Sequence, residues 1–82
     1  MLTKEEVKQG SVMKFADLPI SPDVSGQGQI LFEVLGQPGF IGRKISDGEA
    51  QAMQQEGDRF VPQEDELFPF QGDEQVMITW LT

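Results

Sequence analysis

Cysteine, histidine and tyrosine are all absent from this chain of 82 residues. Without cysteine there is no disulfide framework, no thiol nucleophile and no thiolate zinc site. Without histidine there is no Ser-His-Asp triad and no imidazole ligand, so we predict no metal site. Any acid–base chemistry is therefore restricted to carboxylates, lysine or bound water.

Long hydrophobic runs are also missing. The longest are segments such as 30–32, Ile-Leu-Phe, far below the roughly 20 residues needed to span a bilayer. The N-terminal sequence MLTKEEVKQG has no apolar core of a signal peptide, and neither end carries a lipidation motif. We therefore expect a cytoplasmic protein that does not bind membranes.

Basic residues are few, six against fourteen acids, which gives a formal charge of −8. The whole excess lies between positions 47 and 74, where Arg59 is the only base. The nine acids there are Asp47, Glu49, Glu56, Asp58, Glu64, Asp65, Glu66, Asp73 and Glu74. Such a segment repels phosphates, so we expect no direct nucleic-acid binding. It could dock a basic protein surface, imitate nucleic acid, or simply keep a small protein soluble.

What is present is enough for one small folded domain covering residues 1–82, with six phenylalanines and one tryptophan. Strands are predicted at 11–16, 30–35, 40–45 and 75–81, and extended pieces at 58–61 and 66–70. Helices are predicted at 3–10 and 46–57, because each begins with a capping residue and ends at a glycine. The fold class is α+β and mainly β, with a small antiparallel or mixed sheet of four to six short strands and one or two short helices.

The expected core follows from the apolar positions of these elements. Its members are Phe15, Ile30, Phe32, Val34, Ile41, Phe60, Phe68, Val76, Ile78 and Trp80.

A Glu-Asp-Glu motif lies just before the apolar segment LFPF. In a strand Glu64 and Glu66 would point to the same face and could meet one substrate. Two carboxylates so close can share a proton or stabilise a developing cation. The alternative is a charged strand edge that discourages aggregation.

The segments ILFEVLGQPGFIGRKIS and QEDELFPFQGDEQVMITW resemble the C-terminal half of the arginine-type mono-ADP-ribosyltransferases, a family with bacterial and phage members. The resemblance implies NAD as cofactor and a transferase or NAD glycohydrolase activity. It implies that Glu66 is the catalytic glutamate, that Glu64 orients the accepting group, and that Ser21 braces the NAD site.

Two main functions remain open. The first is a small acidic protein-binding module, an inhibitor or adaptor of phage or other mobile-element origin, related to a degenerate ADP-ribosyltransferase-like fold. The second is an enzyme fragment of that family, completed by a partner chain. We favour the binding module, because the family's NAD-binding arginine has no counterpart among the early residues. A third reading, self-association through an exposed apolar edge, is also consistent with the composition.

Overall fold

The computed structural model describes residues 6–20 and 28–81, and only the backbone of Glu64 and Asp65. Six strands make up most of it: β1 Val12–Lys14, β2 Ile30–Val34, β3 Ile41–Ser46, β4 Glu49–Glu56, β5 Arg59–Pro69 and β6 Gln75–Leu81. A short 3-10 turn, Phe15–Asp17, follows β1. In this part of the chain no helix is long and apolar enough to cross a membrane.

The strands form one sheet in the order β1-β6-β2-β3-β4-β5, with antiparallel neighbours throughout. Strands β2 to β5 follow one another as a meander, and β6 then returns to pair with β2 on the other side. The mainly β class and the expected strand number are confirmed. The range predicted for the last strand is that of β6, where alternating apolar residues carried a clear signal.

The helix predicted over 46–57 is wrong, because this segment forms β4 and its two turns. Asp47-Gly48 is a two-residue turn that pairs Ser46 with Glu49, and Gly57-Asp58 is a second one that pairs Glu56 with Arg59. Asp-Gly and Gly-Asp are hairpin signals, and Gly57 has the positive φ of 66° that such turns favour. The residues that fit the start and the end of a helix therefore belong to two hairpin turns. Between these turns, pairing with β3 and β5 overrides the helix propensity of the residues.

The other predicted helix, at 3–10, is described from residue 6 onward, and residues 6–10 contain no α-helix. Gly10, its predicted last residue, adopts a positive φ of 89° in a turn. The backbone N–H of Gly10 donates to the carbonyl of Ile78 at 2.8 Å, which fixes this segment against β6.

The sheet is curled, so that β5 at one end of the strand order lies near β1 and β6. Aromatic contacts join these two parts of the sheet. Phe60 at the start of β5 packs against Trp80 near the end of β6, with ring centroids 5.0 Å apart. Phe70, just after β5, stacks on Phe15 at 4.9 Å. The N–H of Phe15 in turn donates to the carbonyl of Glu74. One face of the sheet is thereby enclosed as the core.

The core contains six of the ten predicted residues: Phe15, Ile30, Phe32, Val34, Val76 and Ile78 are all buried. The other four, Ile41, Phe60, Phe68 and Trp80, are only half-buried. The core also takes residues that the sequence did not single out, namely Val7, Leu18 and Ala50. Ala50 lies in the segment predicted as a helix, so its place in the core could be predicted only if that segment were recognised as strand β4.

Candidate functional site

The nine acidic residues between positions 47 and 74 occupy four places on the sheet. Asp47 and Glu49 are at the β3–β4 turn, Glu56 and Asp58 are at the β4–β5 turn, Glu64, Asp65 and Glu66 are in β5, and Asp73 and Glu74 are at the β5–β6 turn. Strand β4 separates the first two places. Glu49 and Glu56 are its end residues, which at about 3.3 Å per residue lie about 23 Å apart. The acidic segment is therefore spread over separate parts of the surface.

These acids also differ in how available they are to a partner. Asp47 is 83% exposed, but it lies 3.4 Å from the ammonium of Lys44. Glu74 is half-buried, and its Oε2 atom is buried without a hydrogen-bond partner. By contrast, five of the other acids are exposed, namely Glu49, Glu56, Asp58, Glu66 and Asp73.

Residues 63–66 form a bulge in the β4–β5 ladder. Gln51 pairs with Leu67 and Met53 pairs with Pro62, so these four residues lie opposite Ala52 alone. A bulge breaks the regular alternation of side chains along a strand. The argument that Glu64 and Glu66 share a face assumed a regular strand, and that assumption does not hold here.

Of the residues that the resemblance singled out, only Glu66 has a described side chain, and it is exposed. The side chain of Glu64 and the whole of Ser21 lie outside the described part of the structure. Among the described residues, no group of three or more acids could hold a metal ion.

An apolar side chain follows the bulge and is exposed to solvent. Leu67 is 46% exposed, and the next residue on its face of β5, Pro69, is exposed as well. Glu49 pairs directly with Pro69 across the β4–β5 ladder and therefore lies on this same face. We call this surface, made of Glu49, Leu67 and Pro69 with the exposed Glu66 next to Leu67 in the chain, the Leu67 edge.

The row of side chains behind the Leu67 edge contains one base. Leu67 pairs with Gln51, which pairs with Arg43 on β3. Arg43 donates from Nη2 to Oε1 of Gln51 at 2.8 Å, in a part-buried position. This bond directs the guanidinium toward the sheet, and Arg43 is two strands away from the edge itself. The Leu67 edge is thus an exposed apolar residue flanked by carboxylates.

A buried lysine is the feature that sequence reasoning missed. Lys44 is 1% exposed and faces the core beside Ala50, its partner across the β3–β4 ladder. Its ammonium donates to the carbonyl of Leu18 at 2.7 Å and lies 5.3 Å from the centroid of the Phe15 ring. It therefore ties the segment after β1 to the middle of the sheet. Nothing local in the sequence signals this, because Leu18 is distant in the chain.

Replacing Lys44 with methionine is expected to lower the free energy of unfolding by about 1–3 kcal/mol, because it leaves the buried carbonyl of Leu18 without its donor. Methionine keeps the apolar stem, so little packing should be lost. Urea denaturation measures the change.

Two matched variants isolate that bond. Asp47→Asn removes only the exposed member of the ion pair and should cost less than about 1 kcal/mol. Lys14→Met removes an exposed lysine and should cost about 0.5 kcal/mol at most. Equal losses in Lys44→Met and Lys14→Met would contradict a structural role for the buried ammonium.

Comparison of the chain with protein-family models, curated proteins and solved structures gave no match. The resemblance to ADP-ribosyltransferases gains no support from these comparisons.

Proposed function

We propose that this protein is a small acidic binding module whose Leu67 edge docks a basic protein surface. The observation that carries the proposal is the exposed Leu67, with Glu66 beside it in the chain and Glu49 on the same face. Protein interfaces commonly place apolar side chains at the centre and polar or charged groups at the rim. An inhibitor or adaptor needs only such a surface and no catalytic group.

The charge of the chain supports a basic partner. At −8 it attracts cationic surfaces and raises their rate of encounter. Charge alone gives little specificity, so the contact area of Leu67 is what would fix the position of the partner. A cytoplasmic location fits this role and remains a prediction.

The test uses a defined basic probe, the peptide Lys-Val-Arg-Val-Lys-Val-Arg with both ends blocked, and two variants of equal charge. The edge variant is Glu49→Lys/Glu66→Lys and the tip variant is Glu56→Lys/Asp58→Lys. Each replaces two acids by two lysines and changes the formal charge from −8 to −4. Fluorescence anisotropy at low salt measures the dissociation constant of the peptide.

We expect the edge variant to weaken binding by about tenfold or more, which is the loss of about 1.4 kcal/mol. The tip variant should weaken it only a few-fold, because its two acids lie at the far end of β4 and act at long range through screened charge. Equal weakening by the two variants would show that net charge alone binds the peptide, and the proposal would fail.

A further inference from the structure

Strand β5 is an edge strand. It spans Arg59–Pro69, and within residues 6–20 and 28–81 it pairs with β4 on one side only. The main-chain groups on its other side therefore have no strand partner in this part of the chain. An edge of this kind is a template onto which another extended segment can pair.

The composition of this edge selects against a second copy of the same protein. Pro62 and Pro69 have no N–H to donate, and the acids of the bulge lie between them. Two copies paired through β5 would bring these acids together and join two chains that each carry −8. Acids on an edge strand are a usual means of blocking such self-pairing, whereas the two prolines limit the extent of pairing with any strand. A cationic segment meets no such repulsion.

From these observations we propose that a basic extended protein segment binds by adding a strand to the outer edge of β5 beside Leu67. This inference rests on the proposed function and adds the mode of binding. The main chain of the segment pairs with β5 next to the bulge. Side chains of an added strand alternate between the two faces, so the lysines and arginines of an alternating segment take the Leu67 face. There their aliphatic stems pack on Leu67 and their charged ends reach Glu49, with Glu66 next to Leu67 in the chain. The apolar residues of the segment lie on the opposite face, beside Phe68.

The position of Pro69 limits the length of the pairing. Proline has no N–H, so the main-chain donors of β5 come from residues before it. Leu67 and Phe68 follow the bulge and are back in regular register with Gln51 and Ala50. The added strand should therefore be short, and side-chain contacts with the acids should supply much of the affinity.

The experiment separates main-chain pairing from side-chain attraction. Only one edge of an added strand faces β5, so N-methylation of alternate residues tests each edge in turn. Two isomers of the same Lys-Val-Arg-Val-Lys-Val-Arg peptide are compared with the unmethylated form. The first isomer carries N-methyl groups on residues 3, 5 and 7 and the second on residues 2, 4 and 6. Their charge and side chains are identical.

We expect one isomer to bind at least about tenfold more weakly than the unmethylated peptide, through the loss of its main-chain donors. The other isomer should stay within about threefold. If both isomers bind like the parent peptide, or both weaken equally, strand addition is overturned while docking through side chains stands. If the unmethylated peptide does not bind the wild-type protein at all, the proposed function itself fails.

Discussion

Phe15→Ala is expected to lower the free energy of unfolding by about 3–5 kcal/mol, the usual cost of removing a buried phenylalanine. The Phe15 ring is fully buried, stacks on Phe70, and meets the edge of Phe32 at 5.6 Å. Its loss would leave a cavity and would also open the contact that draws the end of β5 toward β1. In a domain of this size such a loss is a large share of the total stability.

Urea denaturation followed by the fluorescence of Trp80, the single tryptophan, measures this effect. Val12→Ala is the control, since Val12 is the first residue of β1 and is 53% exposed. It should change the stability by about 0.5 kcal/mol at most. A loss below about 1 kcal/mol in Phe15→Ala would mean that the sheet does not curl around this ring.

Gly42→Ala is expected to lower the free energy of unfolding by about 1–3 kcal/mol, because the added methyl group would overpack the core. A Cβ atom at position 42 would lie 2.8 Å from Cε1 of Phe40 and 2.9 Å from Cζ of Phe32. Phe32 is fully buried and pairs directly with Gly42 across the β2–β3 ladder. Neither ring can move away without disturbing the core.

The matched control for this prediction is Gly36→Ala. A Cβ atom there would meet nothing within 4 Å, and Gly36 lies in the exposed turn after β2. The same denaturation experiment should find a change of about 0.5 kcal/mol at most. Equal effects of the two substitutions would show that backbone freedom, and not the packing of the two rings, explains the glycine at position 42.

The parts of the fold that could be predicted are those whose signal is local. Strands β2 and β6 are rich in bulky apolar residues, and this composition, with the alternation in β6, was sufficient to place them. Strand β4 could not be placed in this way. Its alanines and glutamines favour a helix, and only pairing with β3 and β5 makes it a strand. The Asp-Gly turn before it is the available signal, but the same residues also fit the start of a helix.

For the candidate site, the sequence predicts which residue types are present but not where they lie on the surface. The acidic segment and the Glu-Asp-Glu motif are visible in the sequence, but the bulge that displaces the motif depends on the register between β4 and β5. The Leu67 edge arises because Glu49 pairs with Pro69 from another strand. Lys44 shows the same limit, since its burial depends on Phe15 and Leu18.

The central claim is that a basic partner binds at the Leu67 edge and not over the acidic surface at large. An NMR titration of the ¹⁵N-labelled protein with the unmethylated peptide tests it residue by residue. The account predicts the largest shifts at the amides of Glu49, Glu66, Leu67 and Phe68, with little change at Gly57 and Asp58 in the β4–β5 turn. Shifts centred on that turn, or spread evenly over the acids at both ends of β4, would contradict it.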